Sequence, residues 1–240
     1  MTGLDVATGF DSLRKRANAL GLAVRGAFRP EPGEFDAPLS AVSVGTIVLL
    51  GITGSAQWEL FMRSAEAADG IPHPLDRWSR RMIGYLAREF DAIDVYPNGA
   101  SPQLPFQRLA ARSEPVHKSP IGLLIHTQWG LWHAYRGALI LPYRIQLPAL
   151  APSVHPCAGC MAKPCLISCP VHAFESGSFD IKACVDHVSS TAGSDCRDFG
   201  CRARRACPVG AEYRYVADHA RFHMEAFISA HSSTDPPSPA

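Results

Sequence analysis

Cys157-Ala158-Gly159-Cys160-Met161-Ala162-Lys163-Pro164-Cys165-Leu166-Ile167-Ser168-Cys169-Pro170 and, further on, Cys196-Arg197-Asp198-Phe199-Gly200-Cys201-Arg202-Ala203-Arg204-Arg205-Ala206-Cys207-Pro208 hold seven of the chain's eight cysteines, with Cys184 between them. The 156 residues before Cys157 contain none. Disulfide frameworks belong to small secreted domains, so a long cysteine-free stretch followed by a dense cluster points to a local metal or redox module. Thiolates are soft anionic ligands, and short spacings reduce the chain entropy lost when several converge on one centre.

Two features favour iron–sulfur clusters over zinc. The Cys-x3-Cys-Pro ending at Cys165 to Pro170 belongs to the bacterial two-cluster ferredoxin run, in which the fourth cysteine ligates the other cluster. An internal echo, Cys169-Pro170-Val171-His172-Ala173 against Cys207-Pro208-Val209-Gly210-Ala211, is what an exchange of last cysteines between two halves requires. Eight thiolates match two four-iron clusters without remainder. Crossing the fourth ligands assigns Cys157, Cys160, Cys165 and Cys207 to one cluster and Cys169, Cys184, Cys196 and Cys201 to the other. A ferredoxin run has two residues between its second and third cysteines where this chain has four, so a bulged loop is expected over Met161 to Pro164. Two four-cysteine zinc sites and inert buried thiols remain the alternatives. Arg202, Arg204 and Arg205 are placed to tune a cluster potential, to form a solvated face, or to touch an acidic redox partner or RNA.

Working outward, 240 residues at 26.0 kDa with 47% apolar and 19% charged residues describe a globular chain with room for one substantial core and a small appendage. The formal charge of +1 supplies no global field for nucleic acid or an anionic membrane, so nucleic acid is not an expected partner. The longest apolar run, Val44 to Ile52, is too short to span a bilayer, which takes about 20 residues. The first residues lack a secretory pattern, and a cytoplasmic protein is expected. Asp11 to Leu22 has helical apolar spacing, with Gly21 and Gly26 marking its exit, and Val42 to Ile52 reads as a buried strand. A helical face begins at Trp58. Leu75, Trp78, Met82, Leu86 and Phe90 make an amphipathic helix entered through Pro72 and Pro74. Ile93 to Tyr96 is a short strand, Ser101-Pro102 opens a helix running to about Arg112, and Ile121 to His126 and Ala138 to Leu141 are buried strands. These alternating elements predict an α/β core over residues 1–150. Pro148, Pro152 and Pro156 then lead into an iron–sulfur module over 151–215, followed by a C-terminal helix and disordered tail over 216–240.

The stretch Ser119-Pro120-Ile121-Gly122-Leu123-Leu124-Ile125-His126, continued by Trp129-Gly130-Leu131-Trp132-His133-Ala134-Tyr135-Arg136-Gly137-Ala138-Leu139-Ile140-Leu141-Pro142, resembles the cobalamin-processing CblC proteins. Epoxyqueuosine reductases and corrinoid reductive dehalogenases share that core and follow it with a two-cluster ferredoxin module. Phe106-Gln107-Arg108-Leu109-Ala110-Ala111-Arg112 also resembles a helix of the epoxyqueuosine reductases. The resemblance implies a nitroreductase-like mixed α/β core and a ferredoxin-like module with two [4Fe-4S] clusters. It also implies a cobalamin held near Gly122, His126, Gly130, Trp132 and Arg136, with electrons passed from the clusters to that corrinoid or to a bound substrate, and an electron donor or acceptor protein as partner. The sequence departs from the pattern where epoxyqueuosine reductases place a proton-donating aspartate, since Ala100 to Pro105 carries no carboxylate. This argues against epoxide reduction on tRNA and leaves Tyr96, Tyr135 or His117 as proton sources. The cobalamin-contacting histidine of CblC falls near Arg112. The competing expectation is a ferredoxin-type electron carrier whose core has lost the corrinoid.

Overall fold

A computed structural model describes residues 9–31, 34, 44–97, 104–150, 152–174 and 178–232. Among them, in chain order, are α1 (Phe10–Ala19), β1 (Ala23–Phe28), β2 (Thr46–Thr53), α2 (Trp58–Met62), α3 (Ala65–Ala68), α4 (Pro74–Glu89), β3 (Ile93–Val95), α5 (Phe106–Ser113), β4 (Val116–Lys118), β5 (Leu124–His126), β6 (His133–Leu141), α6 (Pro164–Ile167), α7 (Ile181–Ser189), α8 (Ser194–Phe199), α9 (Arg202–Arg205) and α10 (Ala217–Ser232). None of these helices is long and apolar enough to cross a membrane.

The chain forms two compact units. One comprises the described residues up to Val116 together with His133–Ser153, and the other comprises His117–Trp132 and the described residues from Val154 onward. The expected boundary near residue 150 therefore has a second component. His117–Trp132 leaves the first unit because Ile121, Ile125 and Leu131 are buried in one apolar cluster with Cys165, Cys169 and Cys207. Helix α10 likewise counts with the cysteine unit, and the tail over 233–240 lies outside the described residues.

The first unit is built on a sheet of order β1-β2-β6-β3 in which every pairing is antiparallel. Strand β2 is buried at every position from Thr46 to Ile52, which explains why it reads as an unbroken apolar run: both faces are covered. Helix α5 packs against β1 and β2, α1 against β1, and α4 against β6 and β3. Helix α4 starts with Pro74, carries Asp76 in its first turn and Arg88 in its last, and buries Leu75, Trp78, Met82, Ile83 and Leu86. Both charges oppose the helix dipole, and the apolar spacing sets the buried stripe. Arg16 of α1 donates to both carboxylate oxygens of Glu89 at the end of α4.

Three sequence readings are corrected. Ala23–Phe28 is a strand, although Gly21 and Gly26 suggested a helix exit leading only to a linker. Gly26 is there because α5 lies against it: a Cβ would stand 2.2 Å from the Ser113 carbonyl oxygen. Helix α5 starts at Phe106, after Pro105, and the Ser101-Pro102 signal lies outside the described residues. Of Ile121 to His126, only Leu124–His126 is extended, and it pairs with β4 in a separate two-stranded sheet.

Strand β2 is flanked by a bulge on each side. Arg25 is the extra residue between the pairs Val24↔Leu50 and Gly26↔Leu49, and Arg136 the extra residue between Gly137↔Leu50 and Tyr135↔Gly51. A bulge leaves its residue out of the ladder and re-aims the side chain. Gly51 makes room for both: a Cβ there would lie 2.1 Å from the Ala134 carbonyl oxygen and 3.0 Å from Arg25 Cγ. The re-aimed Arg25 makes a forked ion pair with Glu114, at 3.0 to 3.2 Å, and donates to the Ile52 carbonyl at 3.0 Å. The two side chains are 0% and 3% exposed, and the Tyr135 hydroxyl also donates to Glu114. Burial pushes the Glu114 carboxyl up, while Arg25 and the Tyr135 hydroxyl oppose it.

Breaking one side of such a pair strands a buried charge. Glu114→Ala is expected to cost about 3–5 kcal/mol, and the double change Arg25→Met with Glu114→Leu should recover most of that loss. Chemical denaturation followed by circular dichroism checks both.

Candidate metal centre

The cysteine unit repeats its own design. In the first half, Lys163 (φ 38°) and Pro164 turn the chain from Cys160 into α6, which carries Cys165. In the second, Gly200 (φ 84°) turns it from α8, which carries Cys196, into Cys201 and α9. The four-residue gap over Met161 to Pro164 is thus matched by Arg197 to Gly200. Helices α6 and α9 pack together. The internal echo also has a backbone counterpart: His172 and Gly210, each three residues after a Cys-Pro cysteine, are both left-handed, at φ 52° and 69°. Each turn aims backbone N–H groups at sulfur. The Ala173 N–H lies 3.3 Å from Cys169 Sγ, and the Val209 N–H bonds the Cys207 thiol.

None of the eight cysteines is in a disulfide, and their mutual influence falls into two groups. Burial, then Cys207, Cys165 and Cys160, push the Cys157 thiol up. Burial, then Cys207 and Cys160, do the same to Cys165. Cys207 is raised by burial first, with Cys160 adding to it. In the other group, Cys184 is pushed up to about 12 by burial, then by Cys201, Cys169 and Cys196. Cys201 is raised by burial, and Cys196 and Cys169 add to that. Each of these five thiols is thus acted on only by cysteines of its own quartet, and the quartets are Cys157, Cys160, Cys165, Cys207 and Cys169, Cys184, Cys196, Cys201. The sulfurs of a quartet are grouped without meeting at a point. Among the described residues, no three His, Cys, Asp or Glu side chains converge closely enough to hold a single metal ion.

The quartets rest on residues 117–132. Ile121, Ile125 and Leu131 share their apolar bed with Cys165, Cys169, Ala203 and Cys207. The turn at Trp129-Gly130 lies backbone to backbone on Val209-Gly210. A Cβ on Gly130 (φ 55°) would stand 1.9 Å from the Val209 carbonyl oxygen, and one on Gly210 2.4 Å from the Trp129 carbonyl carbon. The basic run between Cys201 and Cys207 is a fastening and not a free cationic face. Arg204 donates to the Leu131 carbonyl at 2.5 and 2.9 Å, its guanidinium lying 4.4 Å from the Trp132 ring and 4.6 Å from Tyr215. Arg202 donates to Asp195 at 2.6 Å and Arg205 to the same carboxylate, which together hold that carboxyl below its ordinary range.

The five residues that the family resemblance assigns to a corrinoid do not share a unit: Arg136 lies in the first, and Gly122, His126, Gly130 and Trp132 lie in the second. Each has a local explanation. His126 is buried, and its Nδ1 accepts from the Gln128 and Trp129 N–H groups at 3.0 and 3.2 Å. Gly122 supplies a left-handed turn, Gly130 the close approach above, and Trp132 packs on Tyr215. Arg136 donates to Ser79 Oγ at 3.0 Å and to Asp76. The one orphan is the buried Trp132 indole N–H. No step is routed through a corrinoid. Of the proton-source candidates, Tyr96 donates to Asp94 at 2.5 Å, Tyr135 to Glu114, and His117 stacks on His155 with ring centroids 4.7 Å apart. Sequence reading passed over Arg25 and Glu114. The signal was a charged residue at Arg25 inside a strand otherwise made of small and apolar residues.

No family model matches the chain, and no curated protein does. Among solved structures it is similar to an epoxyqueuosine reductase from Streptococcus thermophilus, at 14% identity and TM-score 0.46 over 82% of this chain and 65% of that one. The Bacillus subtilis epoxyqueuosine reductase, solved with its catalytic loop swung out of the active site, follows at 16% identity and TM-score 0.42 over 87% and 60%. An epoxyqueuosine reductase bound to an epoxyqueuosine-modified tRNA-Tyr stem loop matches at 15% and 0.40 over 89% and 64%. The chain spans less than two thirds of the length of these structures.

Two outcomes check this geometry. Gly130→Ala adds a backbone collision to the left-handed penalty, whereas a Cβ on Gly122 meets nothing within 4 Å. Thermal melts should show Gly122→Ala costing about 1–2 kcal/mol and Gly130→Ala costing clearly more. In the metal-free protein at pH 8, the Cys184 thiol is held protonated, and iodoacetamide should alkylate it at least about a hundredfold more slowly than free cysteine, whose pKa is near 8.5.

Proposed function

We propose that the protein is an iron–sulfur oxidoreductase whose second unit carries two [4Fe-4S] clusters, one on Cys157, Cys160, Cys165 and Cys207 and the other on Cys169, Cys184, Cys196 and Cys201. The observation that carries this reading is the crossed grouping: Cys207 joins the first three cysteines, and Cys169 joins the later three, as the exchange of a fourth ligand between two clusters demands.

When bound, such clusters supply one-electron transfer. The chain's own contribution is to bury the thiols in apolar surroundings and to aim the Ala173 and Val209 N–H groups at Cys169 and Cys207, both of which tune a cluster potential. Oxidation-prone clusters suit a reducing compartment. The electrons pass between a donor protein and an acceptor held by the first unit. A second reading, a ferredoxin-type carrier without a corrinoid, draws on the local partners of Gly122, His126, Gly130, Trp132 and Arg136 described above.

Anaerobic reconstitution should yield about eight irons and eight acid-labile sulfides per chain, and zinc without sulfide would sink the proposal. Cys184→Ala should lose about half of the iron. Unchanged iron would refute the ligand assignment. Titration of the loaded protein with cobalamin should leave its absorption base-on, and a saturable base-off shift would restore the corrinoid.

A further inference from the structure

The three arginines of α9 meet different partners. Arg202 and Arg205 both hold the Asp195 carboxylate. Arg204 instead donates to the Leu131 carbonyl from Nε and Nη2 and lies between the Trp132 and Tyr215 rings. A carbonyl and two ring faces orient a guanidinium and stabilise it, yet they leave its unit charge standing. The Arg204 side chain is also half-buried, where a charge is screened less than one in open solvent.

Its place in the chain is equally specific. Arg204 lies three residues after Cys201 and three before Cys207, cysteines of different quartets. Its backbone N–H, with that of Ala203, bonds the Cys201 thiol, and its carbonyl accepts from the Cys207 N–H at 3.3 Å. The peptide groups of one residue therefore meet both quartets, while its side chain is tied to the segment that beds them. Backbone donation alone does not single Arg204 out, since Ala173 and Val209 donate to Cys169 and Cys207. Arg204 adds a cation fixed at the join of the quartets. Lys163 and Arg214 also act on Cys157 and Cys207, but from exposed positions, where counter-ions weaken them.

We propose that Arg204 sets the reduction potentials of both clusters, its charge favouring their reduced states while its side-chain contacts hold α9 in place. This rests on the cluster reading above. Reduction of a cluster adds one electron and so one negative charge, and a fixed cation nearby favours the more negative state. The Leu131 carbonyl and the two rings hold Arg204 before the electron arrives, so its effect costs no rearrangement.

The test is an anaerobic dithionite titration of the cluster-loaded protein, followed by electron paramagnetic resonance of the reduced clusters. Arg204→Gln keeps a donor for the Leu131 carbonyl and removes the charge. It should retain the iron of the wild type and lower the ratio of reduced to oxidised cluster about fivefold at a fixed potential, a fall of about 40 mV in each midpoint for a one-electron couple. Arg204→Lys, which restores a cation without the planar fork, should recover most of that fall. Arg202→Gln removes an exposed cation and leaves Asp195 to Arg205, and it should shift the ratio less than about twofold. Unmoved midpoints in Arg204→Gln, a fall confined to one cluster, an equal fall in Arg204→Lys or in Arg202→Gln, or loss of iron from Arg204→Gln would each overturn the proposal. The last of these would assign the residue to packing alone. Iron and sulfide in the wild type report separately on the cluster reading: a full complement with unmoved midpoints sinks this inference only, and their absence sinks both.

Discussion

A guanidinium and a carboxylate, both removed from water, set the terms for the first unit. Arg25 and Glu114 can stand where apolar side chains would ordinarily pack only because the Arg25 bulge and the bare backbone of Gly51 give them space. In return the pair fixes Tyr135, and with it the start of β6. Buried ion pairs of this kind seldom add stability over an apolar replacement, so their value lies in what they hold in place. Here that is the register of two bulges side by side, with Arg136 lifted out of the ladder by the second one.

The cysteine unit is organised by repetition. Two halves each take a cysteine, a four-residue gap containing a left-handed residue, a second cysteine on or beside a one-turn helix, and a Cys-Pro followed by another left-handed residue. Helices α6 and α9 pack together, and the two sets of thiols interleave along the chain. The left-handed position is His172 in one half and Gly210 in the other. Gly210 lies against the Trp129-Gly130 backbone, which accounts for glycine there.

Much of this was readable in the sequence. Helix α4 was legible because its apolar residues recur at the helical period, and β2 because both of its faces are buried. The cysteine spacings and the Cys-Pro endings suggested two groups of four, and the thiols that act on one another fall into the same two groups. Other features were hidden for physical reasons. Strand β1 contains Arg25 and Gly26, a charge and a helix breaker, and both are required by tertiary contacts that no local window contains. The basic run from Arg202 to Arg205 looked like a surface, yet Arg204 is spent on a carbonyl and two aromatic faces that lie more than ten residues away on either side. The residues around His126 and Trp132 matched a cofactor pattern in sequence, while their partners in space are their own neighbours.

The chain passes between the two units at three places, after Val116, Trp132 and Ser153. No single cut can therefore liberate the cysteine unit whole. A fragment beginning at Val154 would keep all eight thiols but leave behind Leu131, which receives Arg204, and Gly130, on which the Cys207 loop rests. Unlike a module appended to the end of another chain, this unit is threaded through the first. A single join or cut between Ser153 and Val154 would leave residues 117–132, which supply part of the cysteine unit's own apolar bed, on the wrong side.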